Sequence, residues 1–342
     1  MEIAFAPLEG ITGHVFRRVY HEFFDGVDVY YTPFIATNQK HKMRNKELND
    51  ILPEHNQGLC LIPQILGNNA ADFVATANFI HGMGYDTVNL NLGCPSRTVV
   101  SKGKGSGFLA KTTELNRFLE EIYEKSTPKI SIKTRLGKDA PEEFYELMKI
   151  FNQYPVEELI IHPRVQTDFY ANTPNWDIFE EALAESKMPV CYNGDISSVE
   201  DFQRFRQRFP QVEKIMLGRG LLSYPTLAAQ IREELERTNR AVGGCADVEK
   251  TQGTSEKSSK GCRDKKQEKE VLHQYICRLQ EEYEKVLSGE TPLLFKMKEA
   301  WGFLINSFQD GDKFRKKIHK SQRILDYEKA VEELFLTLDL KE

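Results

Sequence analysis

A chain of 342 residues with 40% hydrophobic and 28% charged side chains is long enough to bury one large core and a smaller second one, which sets aside a disordered or fibrous class. The formal net charge of -5 argues mildly against a nucleic-acid partner, although a global sum leaves a local basic face open. No run reaches the ~18 apolar residues of a membrane span and the start MEIAFAPLEG lacks a secretory pattern, so a cytoplasmic protein with no membrane partner is expected.

In chain order, short apolar runs bounded by turn residues predict eight strands: IAFAPL, VDVYYTPF, LCLIPQILG, TVNLNLG, KISIKTRLG, ELIIHPR, PVCYNGDI and KIMLGRG. Most gaps between them hold an amphipathic stretch, such as ADFVATANFIHGM, TELNRFLEEIYEK, PEEFYELMKIF and SVEDFQRFRQRF. Eight strand-helix units in residues 1–237 predict an α/β fold, a (β/α)8 TIM barrel. Residues 238–269 are poor in large apolar side chains and rich in Gly, Ser, Thr and Lys, which predicts a flexible polar linker. A helical pattern resumes over 270–342 (VLHQYICRLQEEYEKVL, LLFKMKEAWGFLINSF, DKFRKKIHKSQRIL, YEKAVEELFLTL) and predicts an all-α bundle of three or four helices.

The six cysteines form no CxxC pair and no ligand-like spacing with histidine, so reduced, separate thiols and no metal are expected. Cys191, inside an apolar run, reads as a small buried hydrophobe. Cys94 does not, because Gly93 and Pro95 break the strand on either side of it and hold the thiol at the strand's end. In a barrel the carboxyl ends of the strands carry the chemistry. Those ends offer Pro7, Gln64, Asn91 with Cys94, Lys133 with Arg135, His162 with Arg164, Asn193 with Asp195, and Gly218 with Arg219. An amide, an ammonium, an imidazole and a guanidinium around one mouth are costly to bury without a partner. NGD (193–195) and GRG (218–220) add glycine-lined amides and an arginine where barrels often bind phosphate. The glycine-rich, basic stretch SKGKGSG (101–107) reads as a mobile lid over Cys94, with a solvated turn as the plainer alternative.

The segments APLEGITGHVFR, PQILG, NLNLGCPSRTVVSKGKGSG, IKTR, IHPR, YNGDI and LGRG, in this order, resemble the dihydrouridine synthases, flavin enzymes that reduce uridine in tRNA. The resemblance covers residues 3 to about 230, and KMKEAW (296–301) extends it into the helical region. It implies FMN held by Pro7, Leu8, Glu9, Gln64, Lys133, His162, Asn193, Gly194, Asp195, Gly218 and Arg219, with NADPH as the electron donor. It also implies Cys94 as the general acid for carbon 5 of uracil, with Asn91, Arg135 and Tyr170 holding the base. The sequence departs from the usual pattern in VQTDFYANTPNW after the HPR motif and in LLSYP after GRG, which leaves the choice of nucleotide open between tRNA and ribosomal RNA positions. Competing readings are a flavin reductase of a free pyrimidine, as in dihydroorotate dehydrogenases, and a non-catalytic RNA-binding relic. Between Phe295 and Arg323 the chain is locally basic, and Lys313, Lys316, Lys317 and Lys320 recur at helical spacing, so these four with Arg315 are expected to grip RNA phosphates, Lys316 and Lys317 foremost. A monomer is expected.

Overall fold

The computed structural model describes residues 1–40, 42–242 and 264–341. Ten short strands form one parallel sheet: β1 (Glu2–Phe5), β2 (Val29–Tyr31), β3 (Ile35–Ala36), β4 (Leu61–Ile62), β5 (Gln64–Leu66), β6 (Thr87–Leu92), β7 (Lys129–Gly137), β8 (Leu159–Val165), β9 (Val190–Tyr192) and β10 (Lys214–Leu217). The ladder runs β3-β5-β6-β7-β8-β9-β10-β1-β2-β4. Its ends meet through the chain itself, since β2 continues into β3 and β4 into β5, so the predicted eight strands close into a TIM barrel with two of them interrupted. Each interruption contains a proline, Pro33 or Pro63, which has no N–H to give to the ladder. Thr32 Oγ1 repairs one gap by accepting from Gln64 N at 2.9 Å, and Pro63 O still accepts from Asn89 N at 2.8 Å.

The barrel is filled from within. Ala4, Ala6, Val29, Tyr31, Ile160, Cys191 and Met216 come from strands spread around the ladder, yet they form one buried cluster with Leu8 and Ile62 packed on it, which places them in the interior. The all-parallel strands are buried on both faces, as their continuous apolar runs require. The predicted helices form at Ala70–Gly82, Thr112–Lys125, Glu143–Phe151 and Val199–Arg208. Asn69 caps the first of these, its side chain accepting from Asp72 N.

The chain divides into two compact units. The first comprises Met1–Arg18, Asp28–Asp195 and Phe205–Gly218, and the second Val19–Val27, Ile196–Arg204 and Arg219–Glu342. The expected boundary after residue 237 is therefore displaced: the helical unit begins at Arg219 and takes in two earlier segments. Close packing inside that unit explains this. Gly26, at φ +96°, lies where a Cβ would come within 2.7 Å of the Ala228 and Ala229 backbone, and Tyr20 donates to Pro225 O at 2.7 Å. The ends of the expected linker are helical as well, because 238–242 finish the helix Leu227–Val242 and 265–269 begin the helix Lys265–Val286. Its middle, 243–263, lies outside the described residues, as do Cys245 and Cys262.

Four helices follow: Lys265–Val286, Glu290–Leu304, Asp312–Lys320 and Ile324–Thr337. The single pattern DKFRKKIHKSQRIL breaks at Ser321, whose ψ of 132° ends one helix before Ile324 starts the next. Their shared core holds Trp301, which donates from Nε1 to Tyr327 Oη at 2.9 Å, both side chains being fully buried. Among the described residues no helix is long and apolar enough to cross a membrane.

Candidate active site

Every group at the barrel mouth is placed by a strand end. After β6 the chain turns because Asn91 Oδ1 accepts from both Gly93 N (3.1 Å) and Cys94 N (2.9 Å). Asn91 Nδ2 donates to Gln64 Oε1 at 2.6 Å, Gln64 Nε2 to Asn89 Oδ1 at 2.8 Å, and Asn89 Nδ2 to Ser131 Oγ at 2.9 Å. This buried amide row ties β5, β6 and β7 together and fixes the corner that carries the thiol. The expected lid is pinned beneath that corner. Ser106 donates its N–H (3.1 Å) and its Oγ–H (2.8 Å) to Cys94 O. Gly105, at φ +56°, passes so close that a Cβ would lie 2.8 Å from the same oxygen. Lys104 donates to Thr37 O at 3.1 Å, and Asn68 holds the carbonyls of Lys102 and Gly103. The segment 101–107 is thus a buttress for Cys94, with Gly105 to Phe108 buried.

The Cys94 thiol is half-buried, and burial pushes its pKa up. The Ser96 N–H, Arg135 and Lys133 oppose that rise, while Glu9 adds to it. Lys133, in register with Asn91 across β6 and β7, reaches past β8 to donate to Asn193 Oδ1 at 2.7 Å at the end of β9, so its chain points into the barrel. Asn193 Nδ2 in turn donates to Met216 O at 2.8 Å. Burial, with Arg135 nearby, lowers the Lys133 pKa to about 8.

Two buried guanidinium groups organise the far side. Arg135 donates to Gly93 O (3.0 Å), Val165 O (2.9 Å) and Phe169 O (2.5 Å), and lies 5.4 Å from the centre of the exposed Tyr170 ring. Burial lowers its pKa to about 10. Arg164 finds an acceptor for each N–H: His162 Nε2 at 3.0 Å, the carbonyls of Ala171 and Asn172, and both oxygens of Asp195. An arginine has nothing to accept with, so in this contact His162 Nε2 is the acceptor. Phe169 (φ 50°) and Asn172 (φ 59°) hold left-handed backbone that only Gly adopts freely, and the two arginines grip these same residues by their carbonyls.

Gln64, Asn91, Cys94, Lys133, Arg135, His162, Tyr170, Asn193 and Asp195 are therefore linked through named contacts in one barrel mouth. Gly194 has no room for a side chain, its Cβ position being 2.0 Å from Tyr192 Oη, and Gly218 faces Ala6 across 3.3 Å. Pro7 and Leu8 are half-buried after β1, and Glu9 is exposed with Lys46 at 3.1 Å. Arg219 opens the helix Arg219–Ser223 of the second unit. Lys316 and Lys317 lie on the helix Asp312–Lys320 of that unit.

The profile of the family described as dihydrouridine synthase (Dus) matches residues 4–319. The chain belongs to the dihydrouridine synthase family. It is 30% identical over 240 residues to the tRNA-dihydrouridine(16) synthase of Pseudomonas putida, covering 68% of this chain and 73% of that protein. It is 26% identical over 242 residues to tRNA-dihydrouridine synthase B of Pasteurella multocida, covering 69% and 70%. Among solved structures, a morphinone reductase variant superposes with TM-score 0.50 at 10% identity, over 68% of this chain and 86% of the other, which is a likeness of fold alone. Family membership makes the chain an oxidoreductase that forms dihydrouridine and sets aside the free-pyrimidine and non-catalytic readings.

In the sequence Arg164 marks only a strand end, yet it is the hub of the mouth's far side. The signal was present in HPR followed by NGD, an arginine and an aspartate closing nearby strands. Arg164→Met is expected to strip Asp195 and the carbonyls of Ala171 and the strained Asn172 of their donors and to cost about 2–3 kcal/mol, discounted because Asp195 is half exposed. Urea unfolding measures this, and an unchanged midpoint would refute the structural role.

Proposed function

We propose that this chain reduces the 5,6 double bond of uridine in tRNA, with FMN as its resident cofactor and NADPH as the donor that recharges it. The observation that carries the reading is a thiol kept protonated by burial, beside two cationic groups, at the end of a barrel strand. Relatives named as tRNA-dihydrouridine synthases support tRNA as the substrate.

The residues fit a flavin. Lys133 donates one of its three ammonium N–H groups to Asn193 Oδ1, and an ammonium of this kind suits the carbonyl-rich edge of an isoalloxazine ring. Gln64 and His162 would share that edge. The Asn193–Asp195 turn and Gly218 would hold the phosphate, with Pro7, Leu8 and Glu9 along the ring. When bound, FMN supplies the hydride for carbon 6 of the uracil. Cys94 gives its Sγ proton to carbon 5, and the thiolate left behind is stabilised by the Ser96 N–H and by Arg135 and Lys133. Asn91 acts mainly by holding this corner, since its Oδ1 is committed to two backbone amides. Tyr170, exposed and lying over Arg135, offers its ring face to the extruded base.

The phosphate grip assigned to the helix Asp312–Lys320 needs a correction. Lys317 is paired with Glu333, and Arg315 donates to Asn306 Oδ1 at 2.7 Å with Asp312 beside it, while Phe314 and Ile318 face the core. Lys313, Lys316 and Lys320 are exposed and are the stronger candidates. Replacing Lys316 and Lys320 with Ala should flatten the slope of log affinity against log salt by ~0.7–0.9 per lost contact, with Lys317→Ala doing less. An unaltered slope places the RNA elsewhere.

The deciding experiment incubates the purified full chain with NADPH and an unmodified tRNA transcript. A yellow protein that releases FMN and forms dihydrouridine is expected. A colourless protein that takes up no FMN, or one that oxidises NADPH without altering the transcript, overturns the proposal.

A further inference from the structure

We propose that the helical unit binds a divalent metal ion, Zn2+ by the chemistry of its donors, between His273, Cys277 and Glu332. His273 and Cys277 stand four residues apart on the helix Lys265–Val286 and so share one face. Glu332 comes from the helix Ile324–Thr337. Their ligand atoms all lie within 4.8 Å of one another, and His273 Nε2 is 2.8 Å from Glu332 Oε1.

A tetrahedral ion with bonds of about 2.0–2.3 Å sets its ligand atoms roughly 3.3–3.8 Å apart, so side-chain adjustments of about an ångström bring the three onto one centre. Imidazole, thiolate and carboxylate are the three donor types zinc takes, and the exposure of Cys277 and Glu332 leaves a fourth position for water. The His273 ring is seated on Phe335, with centroids 4.6 Å apart, and Phe335 packs edge-on against Phe308 and Trp301, so this ligand is fixed from behind by the core. Glu281 and Glu328 stand near the thiol in addition to Glu332, so the surroundings favour a cation. A His–Glu ion pair would explain two of these groups but gives the thiol nothing to do.

The expectation of no metal is revised by this proposal: a His and a Cys four apart name no site by themselves, and the third donor arrives on a different helix. Its consequence is mechanical: the ion would clip the Lys265–Val286 helix to the Ile324–Thr337 helix of the same unit, closing a long loop.

The test uses the full chain as purified, stripped of metal by a chelator under reducing conditions and titrated with Zn2+ and, separately, Co2+. The proposal expects one equivalent of Zn2+ to bind and raise the thermal midpoint. It expects Co2+ to give tetrahedral visible bands with a thiolate-to-cobalt charge-transfer band. Cys277→Ser should abolish the charge-transfer band and weaken Zn2+ at least tenfold, and His273→Gln and Glu332→Gln should each weaken it, with dihydrouridine formation retained. No uptake of Zn2+ at micromolar concentration, or an unchanged band and affinity in Cys277→Ser, overturns it; the latter result would move the thiolate to another cysteine.

Discussion

Cys94→Ala is expected to retain FMN and its reduction by NADPH while dihydrouridine formation falls by ~10²-fold or more, the usual scale for losing a positioned acid. The corner that holds the residue is built from backbone amides, Asn91 and Ser106, none of which needs the thiol, so the flavin side of the mouth should be untouched. The pH dependence has a definite sign. The donating form is the protonated thiol, present below its folded pKa, and burial moves that pKa above the ordinary thiol value. Turnover should therefore hold through neutral pH and decline as pH rises past the ordinary thiol range, and rapid-quench measurement of product against pH should find no such decline in the alanine variant's residual rate. A variant that makes dihydrouridine at the wild-type rate would return Cys94 to a structural role.

Lys133→Met is expected to lose the flavin. A hydrogen bond from a charged donor contributes about 1.5–3 kcal/mol, so its loss should weaken FMN by roughly 10- to 100-fold. The ammonium titrates near a pKa of about 8, lowered chiefly by burial, and the charged form is the one that holds a carbonyl edge. FMN affinity of the wild type should thus be greatest below that pH and fall as pH rises through it, whereas the Met variant should bind weakly with no such dependence. Fluorescence titration of the flavin-free protein checks both. Equal affinity in the two proteins would show that Lys133 holds something else.

The strands were legible because a parallel barrel buries both faces of each one, leaving apolar runs between turn residues. Their two interruptions were not read, although Pro33 and Pro63 mark them, because strand continuity was inferred from hydrophobicity rather than from donors. Candidate site residues were legible where polarity ended an apolar run, as at Lys133, His162 and Asn193. What each one does depended on partners far along the chain. Nothing near Lys317 announces Glu333, nothing near Cys94 announces that Ser106 props its carbonyl, and Arg164 gains its importance from Asp195 and from the strained Asn172 of the following loop. The basic helix shows the same limit, since spacing along a sequence gives a face but not which of its charges are already paired.

The central claim is that the mouth around Cys94 delivers a proton to carbon 5 of uridine while hydride arrives at carbon 6. It is tested by running the reaction in D2O with protiated NADPH on an unmodified tRNA transcript and locating the label in the product by NMR. The prediction is deuterium at carbon 5, from the exchanged Cys94 thiol, with the labelled product nearly absent in Cys94→Ala. Deuterium at carbon 6 in place of carbon 5, or full product from the alanine variant, would contradict it.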